Sequence, residues 1–200
     1  PNMVVVEPLN MIRSVLDRGL THDELHKTNN PILQTPKTVR VTRDQWKLAR
    51  TSPRKTRASV IQASDGVNVL RQLAGLRYPV ICKRLIACGT RHSHCMMMAS
   101  SVQMLMTGLD KAFLAPNPLL APESPPDSSD EKLALTDGYI VQELIPHDGY
   151  MYKVYILASG TGHVTPDDVM VVRHVSLSKD LETHLRAREK PLIWNSHDPP

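Results

Sequence analysis

Two hundred residues, 41% of them hydrophobic, suffice for one ordinary domain with a real core, or for parts of two. Aromatics make up only 4%, so that core must be aliphatic and Met-rich. The net charge of +4 fits phosphorylated ligands without singling out nucleic acid. No apolar run reaches the roughly 18 residues of a membrane span, so no membrane partner is expected. The three cysteines, Cys82, Cys88 and Cys95, lie in one stretch. An odd count without a signal peptide predicts reduced thiols and a cytoplasmic or nuclear location. A chain that starts at Pro1 without Met and stops in a Pro-Pro is expected to be cut from something longer.

In chain order, Met3 to Val6 reads as a short buried strand. Leu9, Ile12 and Leu16 then repeat at helical spacing, with Arg13 and Asp17 one turn apart as an expected pair. Gly19 is expected to end this helix, and Thr21 with Glu24 to cap a second one. Residues 28–63 are polar and predicted irregular, apart from a strand at Thr38 to Thr42, where TVRVT alternates. Arg40 to Arg57 holds seven basic residues against one acid, with Trp46 the only ring for base stacking. A solvated basic loop is the reading preferred to a nucleic-acid surface. Val67 to Leu76 predicts a helix that ends near Gly75.

The stretch from Arg77 to Ala99 carries the strongest chemical signal. A β-prone run, Pro79 to Ala87, places Lys83 among apolar neighbours, and period two sets Ile81, Lys83 and Leu85 on one face. Lysine avoids buried strands unless an anion or acid meets it, so Lys83 reads as a cation reaching a phosphate from a cleft floor. The competing reading is a strand-edge lysine with its ammonium in water. A loop, Cys88 to His94, leads into a second apolar run, and together they predict a hairpin with a strand at 95–99 and a helix from about Ser101. Cys82, Cys95, His92 and His94 lack the paired C-x-x-C spacing of a zinc site. Residues 115–135 are Pro-, Ser- and acid-rich and predict a disordered insertion. Three strands come next, Tyr139 to Ile145, Tyr152 to Ala158 and Val169 to Val175. Lys153 is a second lysine on a mostly apolar strand. Leu181 to Lys190 is predicted helical.

Four blocks, VVVEPLNMIRSVLDR, YPVICKRLIACGTRHSH, YIVQELIPHDGYMYKVYIL and VMVVRHVSL with a later IWNSH, together resemble the inositol 1,3,4-trisphosphate 5/6-kinases, also called inositol-tetrakisphosphate 1-kinases. The resemblance spans nearly the whole chain. It implies an α/β (α+β) architecture: an incomplete ATP-grasp fold with a mostly antiparallel central sheet and flanking helices. Residues 1–27 would end an N-terminal subdomain, 28–137 would form the central one, and 138–200 the hinge and the start of a truncated C-terminal one. The implied activity is transfer of the ATP γ-phosphoryl group to a hydroxyl of an inositol tris- or tetrakisphosphate, with ATP and Mg²⁺ as cofactors, by a monomer.

The resemblance also implies roles. Lys83 and Lys153 would be the catalytic pair, expected on adjoining strands around one crevice. ATP would meet Arg18, Lys83, Lys153, Ser176 and Ser196, with Gln142, Glu143, Leu144 and Ile145 as the hinge against adenine. Gly89, His94 and Lys153 would face the inositol phosphates. No metal ligand is expected within the chain; the Asp and Asp-x-Asn that hold magnesium in the family would fall beyond Pro200, so the chain alone is expected not to turn over. It departs from the family pattern at Cys88 (usually His or Asp), His174 (usually Arg) and Val175 (usually Pro), and in insertions at 48–63, 115–135 and 159–168. Besides a kinase, the residues leave open a carboxylate–amine ligase of the same fold or an inactive nucleotide- or inositol phosphate-binding protein.

Overall fold

The structure, a computed structural model, describes residues 9–51, 65–87, 93–113, 138–147, 149–156, 164–177 and 180–196. The expected strand at Met3 to Val6, Cys88, Gly89, the insertion at 115–135, residues 52–63 and 159–163, and Asp198 lie outside them.

Two helices open the described chain, α1 (Leu9–Leu16) and α2 (Arg18–Lys27). Their junction differs from the sequence expectation. Gly19 does not end α1. Asp17 does, in extended backbone, and its carboxylate caps α2 by accepting from Gly19 N–H at 2.7 Å and Leu20 N–H at 3.1 Å. The cause is tertiary. Asp17 bridges Ile86 across an isolated β-bridge, Arg18 N–H donates to Leu85 O at 2.8 Å, and Ala87 N–H donates to Leu16 O at 2.7 Å. Thr21 is therefore inside the first turn of α2 rather than at its cap, and its hydroxyl donates to Ser14 O and Asp17 O. The Asp17 carboxylate pairs with Arg40 at 3.2 Å. The expected pairing with Arg13 falls on a side chain outside the described part.

Strand β1 (Thr38–Thr42) lies where its alternation predicts, but the segment after it is a helix, α3 (Arg43–Thr51), not a basic loop. Trp46 explains the correction. It is 0% exposed, it donates from Nε1 to Asp110 at 3.1 Å, and it is not available for base stacking. Helix α4 (Asp65–Ala74) ends before Gly75 as read, and β2 (Val80–Arg84) and β3 (Cys95–Ala99) form the expected hairpin, with Val80 opposite Ala99 and Lys83 opposite Met96. Ser101 Oγ accepts from Met104 N–H at 3.2 Å and starts α5 (Val102–Phe113). Strands β4 (Gly138–Glu143), β5 (Tyr150–Ile156) and β6 (Val169–Val175) fall near their predicted places, and α6 (Leu181–Arg186) is shorter than read. The last strand, β7 (Leu192–Asn195), has no counterpart in the sequence reading.

The architecture is mixed α and β. Five strands form one sheet in the order β1-β4-β2-β3-β7, antiparallel at every step, and β5 and β6 form a separate two-stranded ribbon. Strands β4 and β7 thus belong to the same sheet as β1 to β3, although the sequence reading divides the chain at 138. Alternation sorts the side chains between two faces. One carries Val39, Val41, Cys82, Met97 and Val141 into the main core, where Trp46, Leu73, Leu105, Leu109 and Phe113 of α3, α4 and α5 cover them. The other carries Ile81, Lys83, Ile140 and Gln142, along with Met96, Met98 and Trp194. Near β7 this second face is sealed by Leu181 and Leu185 of α6 with Leu144 and Leu177.

Candidate functional site

The open part of that second face, beside β1 and β4, holds the site. Because Ile81 is opposite Gln142 and Lys83 opposite Ile140, the Lys83 and Gln142 side chains are diagonal neighbours on one face. Lys83 Nζ donates to Gln142 Oε1 at 3.2 Å, and Gln142 Nε2 donates on to Thr38 Oγ1 at 3.3 Å. The lysine can only donate, so it fixes which way the amide faces. Lys83 is half-buried and keeps Ile81 on its face as the period predicts; Leu85 lies past the strand end, fully buried. Burial, and after it the positive charge of Arg18, lowers the Lys83 pKa from the ordinary lysine value.

Next to this pair lies a cleft of about 260 Å³, floored by Ile140 and Gln142, walled by Val15, Arg18, Thr21, His22 and Leu25, and closed by Thr35 and Pro36. Arg18 is tied to the end of the β2 strand. Its guanidinium donates to the main-chain oxygens of Arg84 at 2.8 Å, Ile86 at 2.5 Å, Ala87 at 3.3 Å and Ser93 at 3.3 Å. It therefore grips the chain on both sides of residues 88–92. An anion entering beside Lys83 would find one half-buried ammonium, a second cation close by, and an amide able to exchange partners. That set suits a polyphosphate, since hydrogen bonds to charged groups strengthen where water is scarce.

The other expected residues fall into separate groups. His94 and Ser196 are brought together at the ends of β3 and β7. Ser196 N–H donates to His94 O at 2.9 Å, and Ser196 Oγ is 3.3 Å from His94 Nδ1. Ser176, at the end of β6, lies 3.0 Å from Nε2 of His147. Along the expected hinge, Glu143 points to the opposite face and accepts from Arg77 N–H at 2.8 Å. Leu144 packs into the Met98–Trp194 cluster, and Ile145 is exposed. Two hinge amides are already engaged, Glu143 N–H with Lys37 O and Leu144 N–H with Pro79 O, each at 3.0 Å. Lys153 is exposed on β5, opposite Val172. It is not on a strand adjoining that of Lys83, which corrects the expected pairing of the two lysines: among the described residues β5 bonds to β6 alone, whereas β2 lies between β4 and β3.

The sequence reading did not single out His22, Thr35, Thr38 or His147 for this site. Thr38 was legible as a strand residue, and His147 stands inside the QEL-x-x-H block. His22 and Thr35 carry no local signal, because only packing brings α2 and the 35–36 segment over β4. Among the described residues no three His, Cys, Asp or Glu side chains converge as a metal site, and none of their helices is long and apolar enough to cross a membrane. No family model matches the chain, and no curated protein matches it.

Proposed function

We propose that the chain carries the nucleotide site of an ATP-grasp inositol polyphosphate kinase, which passes the γ-phosphoryl group of ATP to a ring hydroxyl of an inositol tris- or tetrakisphosphate. The observation that carries the reading is Lys83, half-buried on an open sheet face and held by Gln142 at the edge of a cleft. Four sequence blocks in the order of that kinase family support it independently. In this reading ATP phosphates take over the Lys83 ammonium from Gln142, and the freed Gln142 amide with the main chain to Ile145 meets adenine. Arg18 adds positive potential next to Lys83, and Ser176 and Ser196 add hydroxyls. Gly89, His94 and Lys153 meet the phosphates of the acceptor. Catalysis by such a set is mainly positioning and neutralisation of phosphate charge. The described residues offer no converging donor set for Mg²⁺, so none is assigned to hold it.

A carboxylate–amine ligase would share Lys83 and Gln142 but gives no role to His94 or Lys153. The test has two arms. Calorimetric titration with ATP is expected to show binding that Lys83→Ala weakens by about 10- to 100-fold, the worth of roughly 1.5–3 kcal/mol for a hydrogen bond to a charged group. Label transfer from γ-labelled ATP, measured with the whole gene product, is expected on inositol 1,3,4-trisphosphate and not on amino acid pairs. Unchanged ATP affinity in Lys83→Ala, or label passing only to a carboxylate, overturns the reading.

A further inference from the structure

Three hydrogen bonds close a ring where β5 and β6 are rooted. Ser176 N–H donates to Gly149 O at 2.9 Å, Gly149 N–H reaches Nδ1 of His147 at 3.3 Å, and Nε2 of His147 lies 3.0 Å from Ser176 Oγ. Gly149 takes φ of +77°, a conformation that a side chain strains even though nothing lies within 4 Å of where a Cβ would sit.

The ring fixes a tautomer. A main-chain amide has only its proton to give, so Nδ1 of His147 must be the bare nitrogen. The neutral imidazole then carries its proton on Nε2 and donates it to Ser176 Oγ. Ser176 is therefore not a nucleophile activated by His147, because a general base must present a bare nitrogen to the hydroxyl and Nε2 is not bare. And with one lone pair of Oγ occupied by the imidazole N–H, the hydroxyl proton of Ser176 is directed elsewhere. Among the described residues Ser176 Oγ has no second partner.

We infer that His147 is a positioning residue that sets the Ser176 hydroxyl as a hydrogen-bond donor toward a phosphate oxygen. The inference rests on the reading of Ser176 as part of a phosphate-ligand site, and it adds to that reading the group that dictates which way the serine proton points. His147 acts through Ser176, so the effects of removing either should not add.

The test uses the full chain. Ring nitrogen NMR shifts of ¹⁵N-histidine-labelled protein are expected to show His147 with Nδ1 bare and Nε2 protonated; the reverse tautomer overturns the inference. ATP titrations of Ser176→Ala and His147→Ala are expected to show losses of about tenfold each, the size of one hydrogen bond to a charged group. The double variant should lose no more than either single one. His147→Gln, whose amide nitrogen approximates the Nε2 position, should stay within about threefold of wild type by the same measure. Additive losses, or Ser176→Ala weakening ATP while His147→Ala does not, overturn it. His147 is exposed and Ser176 half-buried, and circular dichroism checks that the variants fold. Should wild type bind no ATP, the kinase reading falls. The same four variants titrated with inorganic tripolyphosphate then decide the inference: the non-additive pattern supports it, and equal affinities overturn it.

Discussion

At Lys83 two requirements oppose each other: the sheet desolvates the ammonium, and the proposed polyphosphate ligand needs its charge. Burial, and then Arg18, lowers its pKa below the 10.5 of an ordinary lysine. Between the lowered value and 10.5 the unfolded chain keeps the proton that the folded chain gives up. Stability from this group therefore rises as pH rises through that window, and the cost of holding the buried charge is fully present below it. A bound polyanion reverses the preference by restoring the proton. ATP binding should therefore take up a proton within the window, and affinity should fall as pH rises past the lowered pKa, earlier than for a surface lysine. Titrations between about pH 7 and pH 10 in buffers of differing ionisation heat measure both quantities. Lys83→Arg stays charged across that range and should flatten the dependence. An identical pH profile in Lys83→Arg would place the titrating group elsewhere.

Elements in this chain are held in place by close approaches that substitution can probe. β4 begins at Gly138, where a Cβ would lie 2.7 Å from Val41 O and 2.7 Å from Leu85 Cδ1. The carbonyl belongs to the paired strand and cannot swing away as a side chain could. Gly138→Ala should cost about 1–3 kcal/mol, read as a lower urea midpoint at unchanged slope. At Gly75 the same methyl meets only ordinary contacts at 3.5 Å, so Gly75→Ala should stay within about 0.5 kcal/mol; equal losses at both sites would refute the steric account. Close approach between distant segments also separates what the sequence reveals from what it hides. β1, the β2–β3 hairpin, α5 and β6 announce themselves because β-branched alternation, a glycine loop and a serine cap are local signals. Helix α3 does not, since Trp46 is its one buried residue, while Arg43 and Arg50 lie over the Phe113 and Trp46 rings and are held by Phe113 O and the Asp110 carboxylate. β7 does not either: four residues find β3 across nearly a hundred positions, and no local pattern encodes that. For the site, period two placed Lys83 beside Ile81, but its partner Gln142 depends on β2 lying next to β4. Lys153 shows the converse. Its alternation matches that of Lys83, yet β5 exposes both of its faces.

At the scale of the whole molecule, the two faces of the five-stranded sheet are covered differently, and that difference makes the proposed ligand's position testable. One face is closed by α3, α4 and α5 over the main core. Among the described residues the other is closed near β7, by α6 and the Met98–Trp194 cluster, and leaves the cleft beneath α2. The ribbon is rooted beside that closed end through Leu144 and Leu177, and its own residues Tyr150 to Ile156 are exposed along their whole length. A nucleotide in the cleft should stiffen what walls it. Amide hydrogen exchange is expected to slow on adding ATP in α2, in β1 and at 140–142, and to stay unchanged in α3, α4 and α5, which back the opposite face. An inositol polyphosphate added to the ATP complex should bring further slowing in β5 around Lys153, because that lysine is the one proposed to meet the acceptor phosphates. Lys83→Ala should abolish the first response while leaving the exchange of the unliganded protein in α3 to α5 as it was. Protection by ATP confined to the ribbon, or spread evenly over both faces of the sheet, would mean that the cleft beneath α2 is not where the nucleotide sits. Lys83 would then be a lysine half-buried against its sheet with Gln142 as its counterpart among the described residues.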